Sequence, residues 1–93
     1  MTVKNVKTGE TKKIAVSGVF VFIGTEPNTA VLQDSSLNIE TANGGWIKTT
    51  EKMETSEAGI FAAGDLRDKF LRQVVTAASD GAIAAMSAYQ FLK

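Results

Sequence analysis

The sequence predicts an α/β fold that is part of a larger unit: a β-hairpin, further short strands and one long C-terminal helix. Three observations carry this reading. The run Val19-Phe20-Val21-Phe22-Ile23 is apolar at every position, as in a strand covered on both faces. Over residues 71–92, Val75, Ala78, Ala82, Ala85, Met86, Tyr89 and Leu92 recur at helical spacing, which makes an amphipathic helix of ~30 Å. A chain of 93 residues buries only ~60% of its unfolded surface, and one helix cannot cover both faces of such a strand.

In chain order, residues 2–17 alternate apolar and polar positions at Val3, Val6, Ile14 and Val16 around Thr8-Gly9-Glu10, which predicts a β-hairpin with its tip near Gly9. The apolar strand 19–23 follows. Pro27 forbids its continuation, and Asn28 or Thr29 is suited to cap a short helix through Asp34. A domain crossing falls here, dividing the chain into 1–24 and 25–93, so the hairpin and the apolar strand should not share one core with the long helix. Asn43-Gly44-Gly45 reads as a turn before a short strand over 46–50, and residues 58–64 as a second short apolar strand closed by Gly64-Asp65. Small residues at 77, 78, 81, 82, 84, 85 and 88 let the long helix lie close to its support, with Tyr89 on the packing face.

Composition removes several classes of function. Ten basic and ten acidic residues give zero net charge without a basic run, which argues against nucleic acid. There is no Cys and no His, so thiol nucleophiles, imidazole bases and zinc sites are excluded from this stretch. Redox chemistry here would have to come from a cofactor or from other chain. The longest apolar run is far below the ~20 residues that span a bilayer, and the polar start is no signal peptide, so a cytoplasmic protein is expected.

The constellation with chemical content is a strand, then Gly64-Asp65, a charged loop, and Arg72-Gln73 at a helix start. Ligands of open α/β sheets bind at the carboxyl ends of strands. Gly64 admits a close backbone approach, and Asp65 offers an acceptor pair to a sugar or ribityl hydroxyl. The free N–H groups at the helix start favour an anion or a carbonyl oxygen. These parts suit a flavin, whose pyrimidine edge gathers negative charge. Singly, each has a plainer reading: Gly-Asp as an ordinary turn, Arg72-Gln73 as a solvated first turn, the Ala stripe and Trp46 as packing.

Gly59-Ile60-Phe61-Ala62-Ala63-Gly64-Asp65, with Arg67-Asp68-Lys69, Arg72-Gln73-Val74-Val75-Thr76-Ala77 and Asp80-Gly81, resembles the closing FAD motif of bacterial thioredoxin reductases, a group of FAD- and NAD(P)-dependent disulfide oxidoreductases. Val21-Phe22-Ile23-Gly24-Thr25-Glu26-Pro27-Asn28-Thr29 is similar to that group's crossing from the NADPH domain to the FAD domain, and the hairpin is similar to its last β-meander. The resemblance implies a partial FAD/NAD(P)-binding, Rossmann-like, three-layer fold, with 1–24 ending the NADPH domain and 25–93 forming the C-terminal part of the FAD domain. It implies FAD contacts at Gly64, Asp65, Arg72, Gln73 and Val74, where Val74 departs from the usual Ala. It also implies electron transfer from NADPH through FAD to thioredoxin or a similar disulfide. Neither Gly-x-Gly-x-x-Gly nor Cys-x-x-Cys is present; in that group they lie upstream, so the chain is expected to be a fragment, inactive alone and without its own NADPH site. Unpaired strand edges recruit partners, so a homo-oligomer such as a homodimer is expected. Two other readings stand beside this one: the same segment of a ferredoxin/flavodoxin–NADP reductase, or a non-catalytic interaction module.

Overall fold

The hairpin forms because Asn5 organises its tip. The Asn5 side-chain oxygen accepts from the Lys7 and Thr8 amides at 2.9 and 3.2 Å, and its backbone closes the turn with Gly9 and Glu10 at 2.8 Å each. Strands β1 (Thr2–Lys4) and β2 (Thr11–Lys13) then pair antiparallel, Thr2 opposite Lys13 and Lys4 opposite Thr11. In this computed structural model, which describes residues 1–33 and 36–93, the hairpin packs on no other helix or strand.

Residues 19–23 depart from expectation. They form no strand, and their side chains are 55 to 90% exposed, with Phe20 and Phe22 stacked on each other at 5.9 Å. A strand exists only through a ladder partner, and no described residue supplies one. The chain is correspondingly extended: its radius of gyration is 19.4 Å, against ~12 Å for a compact domain of this length.

Beyond Pro27 the short helix α1 (Ala30–Gln33) begins at Thr29, whose carbonyl accepts from the Leu32 amide at 2.9 Å. The expected end at Asp34 lies outside the described residues. The two strands expected at 46–50 and 58–64 are replaced by single bridges: Ile47 pairs with Thr41 and with Arg67, and Glu54 with Phe61. The Gly-Gly turn behaves as read, with Gly44 and Gly45 at φ +85° and +82° and the Ala42 amide donating to the Trp46 carbonyl at 2.7 Å. Ile47, Met53 and Ala62 are the buried apolar residues among those described, and Ile47, bridged on both sides, is only 2% exposed.

Helix α2 (Val74–Phe91) starts three residues later than the periodicity suggests. Gln73 is extended, and its amide donates to Thr76 Oγ1 at 3.2 Å while that hydroxyl donates to the Gln73 carbonyl at 2.9 Å. The covered stripe runs through Thr76, Ala77, Asp80, Ala84, Ser87 and Ala88. It ends at Phe91, which meets Phe61 edge to face at 6.2 Å. The helix thus lies antiparallel to residues 59–64, with Ala77 over Gly64 at one end and Phe91 over Gly59 at the other. The seven residues that set the helical repeat, from Val75 to Leu92, are exposed, whereas Ala77, Ala84 and Ala88 of the small-residue set lie on the covered stripe. The aliphatic repeat is real, but the polar contacts of Asp80 orient the helix, and the outer stripe finds no cover among the described residues.

Tyr89, expected on the packing face, is instead 55% exposed and carries the Lys93 ammonium over its ring at 4.3 Å. In urea unfolding of the 93-residue chain, Ile47→Ala should cost about 2 to 5 kcal/mol through cavity formation, and Tyr89→Ala under about 1 kcal/mol. The opposite order would show that α2 packs through its aliphatic stripe.

Candidate functional site

The site is built on a carboxylate. Asp80 lies seven residues into α2, on the stripe that faces the 59–64 segment, and its side chain is only 10% exposed. Three groups converge on one oxygen, Oδ2: the Gly64 amide at 3.0 Å, Lys69 Nζ at 2.7 Å and Arg67 Nη1 at 2.8 Å. Arg67 and Lys69 are themselves nearly buried, each 12% exposed. Burial alone pushes the Asp80 carboxyl up; the hydrogen bonds from Lys69, Arg67 and Gly64 outweigh it and hold the pKa at about 2, below the ordinary 3.8.

Gly64 must be glycine for a backbone reason. It sits at φ +85°, a region L side chains rarely adopt, and its amide points at Asp80. That turn carries Asp65 out to the surface. The Asp65 side chain is exposed, with no ion-pair partner among the described residues. Its carbonyl accepts from Arg72 Nε at 3.0 Å, while Arg72 Nη2 donates to the Arg67 carbonyl at 3.1 Å. The guanidinium stacks over Trp46, 3.6 Å from the ring centroid. Arg67 also donates through Nε to Thr49 Oγ1 at 2.7 Å, which ties the loop to the residues after Ile47.

Asp65, Arg72 and Trp46 line one groove of about 710 Å³, together with Pro27, Asn28 and Phe70. Of the five residues expected at the site, Asp65 and Arg72 share this groove and Gly64 lies buried directly behind it. Gln73 and Val74 are exposed at the start of α2, outside the lining, where first-turn amides have no carbonyl one turn behind them. The sequence reading gave no role to Asp80, Arg67 or Lys69 and left Trp46 as packing. A usable signal existed: Asp80 is the only acid in an 18-residue helix, set among alanines and downstream of two nearby cations. Among the described residues no cluster of acids is arranged to hold a metal, and no helix is long and apolar enough to cross a membrane.

The sequence pattern of the pyridine nucleotide-disulphide oxidoreductases matches residues 2–81. The chain belongs to that family. It is 51% identical over 89 residues to a thioredoxin reductase of Treponema pallidum, covering 96% of this chain and 28% of that protein. It is 47% identical over 92 residues to a 34.2 kDa protein in the rubredoxin operon of Clostridium pasteurianum, covering 99% of this chain and 29% of that protein. The crystal structure of Lactococcus lactis thioredoxin reductase in its FR conformation superposes with a TM-score of 0.86 at 44% identity, over 98% of this chain and 29% of that one. The chain therefore spans somewhat under a third of the length of these relatives, and its fold is that of the matching part of a thioredoxin reductase.

The Asp80 cluster has a pH signature. Because the folded pKa is depressed, its stabilisation is fully present above about pH 4 and is lost as pH falls towards 2, a change of about 2 kcal/mol. At pH 7 Asp80→Asn leaves two nearly buried cations without their counter-charge and should cost about 3 kcal/mol or more. Unfolding free energies of wild type and Asp80→Asn should therefore converge between pH 4 and pH 2. A gap independent of pH in that range would show that the carboxylate is not the paired group.

Proposed function

We propose that this chain supplies the closing wall of the FAD site in a disulfide oxidoreductase of the thioredoxin reductase type. Such an enzyme passes electrons from NADPH through FAD to thioredoxin or a similar disulfide. The observation that carries the reading is an exposed Asp65 carboxylate, without an ion-pair partner among the described residues, on a groove walled by Arg72 and Trp46, beside the N-terminus of α2. The 41 to 51% identity to thioredoxin reductases over nearly the whole chain supports it.

The residues present fit one side of such a cofactor. Asp65 can accept from two neighbouring ribityl hydroxyls, each a charge-assisted hydrogen bond. Gly64, without a Cβ, lets the chain turn sharply enough to present that carboxylate. The first-turn amides of α2, at Val74 and beyond, can donate to a carbonyl or anionic edge, and the helix dipole strengthens that interaction. Only the backbone of Val74 is needed there, so its larger side chain, pointing into solvent, is compatible with the role. Arg72 is committed to two carbonyls and to Trp46, so it shapes and rigidifies the groove wall. When bound, FAD supplies the redox chemistry through its isoalloxazine ring; the protein supplies orientation and electrostatics. The exposed 19–23 segment and the outer face of α2 are surfaces that the rest of such an enzyme, or a second subunit, would cover. A cytoplasmic homo-oligomer is the state that goes with this reading.

Two outcomes test it. In a full-length enzyme carrying this segment, Asp65→Ala should weaken FAD binding about ten- to a hundred-fold, because a buried hydroxyl loses its acceptor, and should leave the fold intact. FAD held as tightly as by wild type would reduce Gly64-Asp65 to an ordinary turn. The 93-residue chain by itself, with no thiol and one wall of the site, should show no NADPH-dependent disulfide reduction. Turnover by the purified chain would refute the proposal that it is a partial site.

A further inference from the structure

Asp65 and the start of α2 come from different elements, eight or nine residues apart in sequence, and a ligand that touches both requires their relative placement to be fixed. Backbone pairing ties the turn to Ile47, whose amide donates to the Leu66 carbonyl at 2.9 Å and whose carbonyl accepts from the Asp68 amide at 2.8 Å, but residues 64–73 form no strand or helix that would register the turn against α2. The link from the turn to α2 runs through groups that meet at Asp80. We propose that Asp80, which touches none of the groove, is the positioning residue of the FAD-binding turn, an assignment that rests on the flavin reading above.

The geometry supports this in three links. The Gly64 amide is held directly, so the Ala63–Gly64 peptide, one residue ahead of Asp65, is registered against α2. Lys69 and Arg67 reach the same oxygen from the far side of the turn, which closes the 64–69 loop around one point on the covered face of α2. Arg67 then passes the constraint outward: its carbonyl, with that of Asp65, accepts the Arg72 guanidinium that forms the groove wall. A charge-neutral pocket could be equally stable, since buried ion clusters are often replaceable by well-packed apolar residues. Only a charged acceptor at this position, however, satisfies the Gly64 amide and both cations at once. Stability and cofactor positioning can therefore be separated by mutation.

The test uses the full-length flavoenzyme with three variants: Asp80→Asn, the charge-free triple Asp80→Leu/Arg67→Met/Lys69→Met, and Asp65→Ala as the reference for the site. Thermal midpoint, FAD dissociation constant and the visible absorption and fluorescence of the bound flavin are measured for each. Asp80→Asn should weaken FAD binding at least ten-fold and shift the spectrum of the flavin that remains bound. The triple should regain much of the thermal midpoint lost in Asp80→Asn, short of wild type by the unpaired Gly64 amide, while FAD binding stays at least ten-fold weak. If the triple restores both midpoint and FAD affinity, Asp80 only neutralises two cations and the positioning role is overturned. The same follows if Asp80→Asn binds FAD as wild type does with an unchanged spectrum while Asp65→Ala does not. If Asp65→Ala itself retains wild-type affinity, the flavin reading falls and the positioning role falls with it.

Discussion

One carboxylate oxygen organises the second half of this chain. Asp80 Oδ2 receives an amide and two cationic side chains that are nearly buried, and each of the three comes from the loop that α2 must hold. An ion cluster in this position is a demanding choice, because desolvation of Asp80, Arg67 and Lys69 opposes folding and is offset only when every partner is in place. What it provides is direction. Hydrophobic contact would let a helix of alanines rotate and slide, since small residues present nearly the same surface at every turn, whereas a three-fold hydrogen-bonded anchor admits one rotation and one register.

That distinction explains the orientation of α2. Its larger apolar residues lie on one side, so burial alone would favour the face with Val75, Met86 and Tyr89. The observed face carries Thr76, Asp80 and Ser87 between alanines, and it lies against the 59–64 segment with Ala77 on Gly64 and Phe91 on Phe61. The aliphatic stripe is left outward, as is the 19–23 segment. Both are sequences written for burial, and a chain spanning 28 to 29% of its relatives' length supplies no cover for either among its described residues.

The sequence was legible where the cause is local. The hairpin around Asn5 and Gly9, the turn at Gly44-Gly45, the extent of the last helix to within three residues and the Gly64-Asp65 turn all follow from residues close in the chain. Legibility ended where the cause is distant. Ile47 reads as one residue of a strand, yet its structure depends on Thr41 and Arg67, and no short-range pattern announces that the pairing stops at single bridges. The helix face was misjudged because periodicity ranks residues by hydrophobicity and is blind to a buried charge with partners 11 and 13 residues upstream. At the site, residue types singled out Asp65 and Arg72, which line one groove, but the stacking of Arg72 on Trp46 and the anchor at Asp80 are long-range facts that only the folded chain displays.

The central claim is that the Gly64-Asp65 turn, held against α2, forms one wall of a flavin site. A crystal structure of a full-length enzyme containing this segment, grown with FAD, addresses it most directly through the distance from the Asp65 carboxylate to the nearest ribityl oxygen. The expected result is a hydrogen bond of about 2.5 to 3.0 Å, with an amide of the first turn of α2 facing the pyrimidine edge. FAD bound elsewhere, with Asp65 facing solvent, would contradict it.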